Sequence, residues 1–197
     1  MCAIQTQIND LATFIRTEVY ASLDDMTKAV LVRKQEELCA KYFLAIAQNL
    51  HRNKYKGCFA PHKAVMIMAI MDLVESGHIT SNVINLDKEL KQKFKEVWQR
   101  VVPVGSPFQC EYRNPFTYMD SEPFWTSTHD KDQAIITWEA YYAFSLYASR
   151  TAIKACLIRS IREETISDQY ATESNTKLNF PDEMPGFIPL LGLLIAV

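Results

Sequence analysis

Glycine and proline are scarce in this chain, five and eight in 197 residues. That leaves little room for long flexible linkers, and the length suits one globular domain with a real core. Five cysteines (Cys2, Cys39, Cys58, Cys110 and Cys156) are scattered, odd in number and without a CxxC spacing. The pattern gives neither a disulfide frame nor a zinc site, and reads as reduced thiols in a cytoplasm. Excess charge is lacking too: 21 basic against 23 acidic side chains leave a formal charge of -2. Coating of nucleic acid by bulk positive charge is therefore excluded, and any such contact must come from a local patch. The N-terminus has no basic segment followed by an apolar core, so no signal peptide is expected. The apolar tail from Pro185 is too short to span a bilayer and is broken by Pro189 and Gly192. It either packs on the domain or is the stump of a longer protein, and no membrane partner is expected.

Catalytic motifs are missing as well. No glycine-rich phosphate loop, HExxH, GxSxG or Cys/His pair at ligand spacing occurs. The four histidines (His51, His62, His78 and His129) are isolated, and none lies beyond residue 129. A ββα-metal nuclease would need several such groups on one small module. No catalytic residue, metal site or cofactor is expected.

What is present is organised around residues 60–78. From Val65 to Met71 no polar side chain occurs, and Leu73 and Val74 follow Asp72. A helix apolar on every side cannot lie on a surface, so this one belongs at the centre of the domain. Pro61 suits its first turn, and Gly77 suits the left-handed residue that closes it. Just upstream, residues 51–57 carry Arg52, Lys54 and Lys56, with Lys63 in the helix's first turn and no acidic residue between. Unpaired N–H groups and a partial positive charge at a helix start favour anions. Two readings follow: an anion site for a nucleic-acid backbone, or a solvated loop that keeps the domain soluble. His62, beside Lys63 at the helix start, reads as a phosphate-contacting donor more readily than as a general base.

These residues carry a resemblance. Leu44-Ala-Ile-Ala-Gln-Asn-Leu50, the basic loop ending at Gly57, Ala60-Pro61-His62-Lys63 and the apolar helix through Leu73 resemble one bacterial family. It comprises the DNA-recognition domains that precede HNH nuclease domains in modification-dependent restriction endonucleases, among them the sulfur-binding domain for phosphorothioated DNA. The likeness continues through Glu75-Ser-Gly-His-Ile79, a helix ending near Trp98, Asn114-Pro115-Phe116 and Phe124-Trp125, and spans roughly residues 40–160. It implies double-stranded DNA, modified or plain, as the partner, with Arg52, Lys54, Lys56, His62, Lys63, Arg113, Asn114, Pro115 and Phe116 sharing one face. It also implies that cutting belongs to a separate nuclease, since this chain has no nuclease motif. In sulfur-binding members a tyrosine–proline pair and nearby apolar atoms form a cavity for the sulfur. Here Asn114 stands before Pro115. An amide offers donors that favour oxygen, so backbone contact is expected and sulfur selectivity stays open.

The remaining chain reads as mainly helical. Residues 1–40 form an N-terminal helical extension, 41–170 the recognition-like domain and 171–197 a tail. Ile4, Ile8, Leu11, Ile15 and Val19 make one helical stripe, and Val30, Leu38, Tyr42, Ile46 and Leu50 line a second. Such stripes pack on their own domain or form a homodimer seam. Ile79-Thr80 and Val83-Ile84 around Ser81-Asn82 predict a short hairpin, and Asp87 caps the helix that follows. Two helices with a small hairpin are like a winged helix at the level of fold alone. Two short strands are expected from the aromatics around Phe116 and Trp125, and continuous helix from about 132 to 170. In that helix Trp138, Tyr141, Tyr142, Phe144, Leu146 and Tyr147 read as core. Arg150, Lys154, Arg159 and Arg162 read as a solvated face or an extension of the DNA-facing strip. Two functions stand: a DNA-recognition module, or a helical protein–protein interaction or regulatory domain whose basic loop is only surface.

Overall fold

The computed structural model describes residues 2–56 and 58–166, and the expected tail at 171–197 lies outside them. The fold is mainly helical with two small antiparallel sheets, as the pattern predicts. At its centre lies α4 (His62–Glu75), with every residue from Ala64 to Met71 fully buried. Val65, Ile67 and Ile70 are poor helix formers, at a cost of up to about 0.7 kcal/mol each. Burying such side chains returns about 1.5–3 kcal/mol apiece, so packing decides the conformation. Gly77, at φ +74°, closes the helix, and the His78 N–H reaches the Leu73 carbonyl at 3.0 Å.

Four helices surround α4: α5 (Lys88–Val101), α6 (Arg113–Tyr118), α7 (Trp138–Ser145) and α8 (Tyr147–Ile166). Asp87 caps α5 as expected, accepting the Leu90 N–H at 2.8 Å. On the far side, α1 (Cys2–Ile15) and α7 and α8 pack on the long α3 (Asp25–Gln48). Ile8 of α1 is buried in the same cluster as Leu38, Tyr42 and Ile46 of α3. Two members of the expected stripes are exposed instead. Val19 is exposed because the helix stops at Ile15 and a short α2 (Glu18–Ala21) begins afresh, capped by Thr17. Val30 is exposed because the buried residues of α3 begin only at Leu38.

The sheets correct three expectations. No hairpin forms at residues 79–84. Instead β3 (Val83–Asn85) pairs with β5 (Gln133–Ile136), which lies centrally in the order β3-β5-β4 beside β4 (Trp125–Ser127). The turn-prone Ser81-Asn82 serves this long-range pairing, since Asn82 donates its amide to the Ile136 carbonyl at 2.9 Å. With no hairpin there, the winged-helix likeness lapses. Around Phe116 the chain is helical, because α6 and a 3-10 turn (Met119–Ser121) run ahead of β4. The expected continuous helix from 132 divides into β5, α7 and α8. Ala134 and Ile136 alternate inward along β5, the period of a strand.

Arg150 seals the joint between α7 and α8. It is buried, and its guanidinium donates to the Phe144 and Ser145 carbonyls and to Glu75 at 2.6–3.1 Å. Lys154 binds Asp72 at 2.6 Å and Glu75 at 3.2 Å. Both cations are therefore held against the C-terminal half of α4, and neither belongs to a solvated or DNA-facing strip.

Candidate nucleic-acid interface

The basic stretch is a tight hairpin. Strand β1 (Lys54–Tyr55) pairs with β2 (Cys58–Phe59), and Ala60 donates its N–H to the Asn53 carbonyl at 2.8 Å. Lys56 takes the left-handed conformation at φ +49° that so short a turn demands. Lys54 and Lys56 are exposed, and each cation lies near a ring. The Arg52 guanidinium is 5.3 Å and the Lys54 ammonium 5.4 Å from the Phe59 centroid, while Lys56 is 5.4 Å from that of Tyr55. Exposed contacts of this kind are worth about 0.5–1 kcal/mol, enough to bias these heads toward the hairpin.

The start of α4 is fixed differently. His62 Nε2 lies 2.8 Å from the Gln109 carbonyl, so that nitrogen carries the proton and donates. Trp98 and Phe108 flank its ring at 4.9 and 5.8 Å between centroids. Burial pushes the imidazole below its usual 6.5, against smaller opposing effects of Gln109 and Glu111. A neutral ring with its Nε2–H already engaged is a poor general base. Lys63 donates to Glu122 Oε1 at 2.5 Å and to Ser121 Oγ at 2.7 Å. The same Glu122 oxygen accepts the His51 N–H at 3.1 Å. Its charge is therefore balanced inside the fold.

Helix α6 supplies the opposite wall. Pro115, in the first turn, and Phe116 are both buried. Phe116 packs edge-on against Trp125 at 5.0 Å and belongs to the core. Arg113 turns outward to Asp132 at 3.4 Å, both well exposed. Such a pair is worth little, about 0–1 kcal/mol.

Between these parts lies a cleft of about 430 Å³. Of the residues picked from the sequence, Arg52, His62, Lys63, Asn114 and Pro115 line it. Lys54 and Lys56 stand on the adjoining hairpin, while Phe116 and Arg113 do not line it. His51, Asn53, Ala60, Phe108, Tyr118 and Ser121, which the sequence did not single out as site residues, complete the lining. Tyr118 carried a usable signal, since it follows Asn114 by four residues and so shares its helical face.

One further trio offers metal-ligand atoms among the described residues. His78, Asp87 and Glu89 hold theirs within 4.8 Å of one another at the joint of α4 and α5. Asp87 already caps α5 and lies 3.3 Å from His78 Nε2. Among the described residues no helix is long and apolar enough to cross a membrane. Compared with protein-family models and with curated proteins, the chain matches none.

Proposed function

We propose that this chain is a DNA-binding module that holds backbone phosphates with its basic hairpin and presents the adjoining cleft to the bound strand. In this it resembles the recognition domains that precede HNH nuclease modules, and cutting falls to a separate nuclease. One observation supports the reading above the others. The 51–53 stretch and the start of α4 meet the distant α6 around one cleft, and none of its described lining residues is acidic. In a chain of formal charge -2, a cleft without acidic lining beside the exposed Lys54 and Lys56 is the kind of local patch that phosphate contact needs. Fluorescence anisotropy against a duplex over a salt series tests it. Binding should weaken as salt rises, and a Lys54→Ala/Lys56→Ala variant should bind more weakly. Affinity indifferent to both would remove the reading.

A second reading rests on a separate surface. Trp138, Tyr142 and Tyr147 are 54%, 45% and 75% exposed, although their helical spacing predicts core. Trp138 and Tyr142 edge a groove of about 480 Å³ between α7, α1 and α3. Exposed aromatics are enriched where proteins meet, so a helical partner or a second copy of the chain is the alternative occupant. The two clefts share no lining residue, which makes the readings separable by mutation. Light scattering across a concentration series, with Trp138→Ala beside the wild type, checks self-association.

A further inference from the structure

We propose that the cleft beside the basic hairpin seats one unpaired nucleotide with its base, and not a backbone phosphate alone. This rests on the DNA-binding reading above. Size is the first observation. At about 430 Å³ the cleft is far larger than one phosphate group or one sulfur atom can fill. It falls in the range of sites for whole small molecules, roughly 300–1,000 Å³.

The lining is the second. A site for phosphate alone needs cations and N–H donors. This one adds Phe108 and the exposed Tyr118 as aromatic surface, with Ala60 and Pro115 as apolar wall. Rings of this kind accept the face of any base. Asn53 and Asn114 bring two side-chain amides, each with a donor and an acceptor, the combination a base edge requires. Neither amide is held by a protein partner among the described residues.

Charge is the third. Lys63 is paired with buried Glu122 and His62 is held neutral by burial, so the exposed positive charge beside the cleft lies on the hairpin, at Lys54 and Lys56. A nucleotide would then set its phosphate against the hairpin and its base against Tyr118 and Phe108. Unstacking is costly from a paired duplex and least so for a nucleotide already unpaired, which makes single-stranded or mismatched DNA the preferred source.

The test is an NMR titration of the full chain with deoxynucleoside 5′-monophosphates and, in parallel, with 2-deoxyribose 5-phosphate. A seated base should make the nucleotides bind about tenfold more tightly than the sugar phosphate, with shifts at Asn114 and Tyr118. Tyr118→Ala should remove most of that ratio. The side chain is exposed, so its loss leaves the core intact, and the spectrum itself reports the fold. Equal affinities for nucleotide and sugar phosphate, or shifts confined to the hairpin, overturn the pocket. Duplex anisotropy in the same buffer reads the underlying function separately. Duplex binding without nucleotide preference removes the pocket alone. Nucleotide preference without duplex binding keeps the pocket and removes the duplex reading.

Discussion

Lys63 and Glu122, 59 residues apart in sequence, form an ion pair that is almost wholly buried, with side chains 11% and 4% exposed. Because Glu122 also accepts the His51 N–H, the pair ties three things together: the entry to the basic hairpin, the start of α4 and the turn after α6. The cleft keeps its shape because these parts are fastened to one another beneath it.

Removing one member of such a pair leaves the other buried and uncompensated, which costs about 3–5 kcal/mol. Lys63→Met should therefore lower the urea midpoint sharply. Lys63→Met/Glu122→Leu should recover much of the loss, since a pair replaced by apolar side chains is often near neutral. A double variant no more stable than Lys63→Met would show that the His51 bond, and not the charge, is what Glu122 provides.

His62 sets a pH dependence whose sign follows from its burial. Its folded pKa lies below 6.5, so the unfolded chain binds the proton first as pH falls. The contribution is complete above 6.5 and is lost as pH drops through that value toward the lower folded one. Urea midpoints between pH 7.5 and about 5, above the carboxylate range, should fall more steeply for the wild type than for His62→Gln. Parallel curves would place the titration elsewhere.

The central helix was legible because seven successive apolar residues leave no polar face to turn outward. Asp87 was legible because a cap acts locally. What escaped was decided at long range. Ile79 and Val83 look like hairpin arms, yet the Ile79 N–H turns back to the Leu73 carbonyl and β3 finds its partner near residue 135. Strand β5 is four residues long beside a helix-like run, too short for its alternation to stand out. Trp138 and Tyr142 have helical spacing, but spacing does not say which face a neighbour covers. In the cleft, Lys63 and His62 looked free for phosphate because Glu122 and Gln109 lie far along the chain.

Arg150 offers a contrast between buried and exposed cations. Its side chain is 10% exposed and bonded to two carbonyls as well as to the more exposed Glu75, and hydrogen bonds to charged groups contribute about 1.5–3 kcal/mol each. Arg150→Met should cost at least about 2 kcal/mol, little affected by added salt. Arg113→Ala breaks only an exposed pair and should cost under about 1 kcal/mol. Bonds from Lys154 and Arg150 also hold the Glu75 carboxyl below its usual 4.5. Their stability is present above that value and lost as pH falls below it. An NMR titration should find the Glu75 pKa higher in Arg150→Met than in the wild type.

Salt dependence separates hairpin cations from the internally paired lysine. Each phosphate neutralised on duplex DNA adds about 0.9 to the slope of log affinity against log salt. Lys54→Ala and Lys56→Ala should each flatten the slope by about that amount. A Lys63→Met/Glu122→Leu chain that remains folded should keep it, because the charge of Lys63 is already balanced within the protein. A slope change at Lys63 equal to that at Lys54 would mean that DNA draws the lysine away from Glu122.

Sulfur selectivity is the remaining expectation of the resemblance, and the cleft chemistry sets its sign. A non-bridging sulfur is larger and more polarisable than oxygen and accepts hydrogen bonds poorly. It is tolerated against apolar atoms, where an oxygen without donors would cost a few kcal/mol. The lining does offer Pro115, Ala60 and Phe108, but among them stand Arg52, Asn53 and Asn114 with N–H donors. Donors reward oxygen, since hydrogen bonds to charged phosphate are the strong ones. Competition between plain and phosphorothioated duplexes of one sequence should therefore show plain DNA bound as tightly or more tightly. A tenfold preference for the thioated strand, about 1.4 kcal/mol, would mean that the modified position meets the Pro115 wall and not the amides.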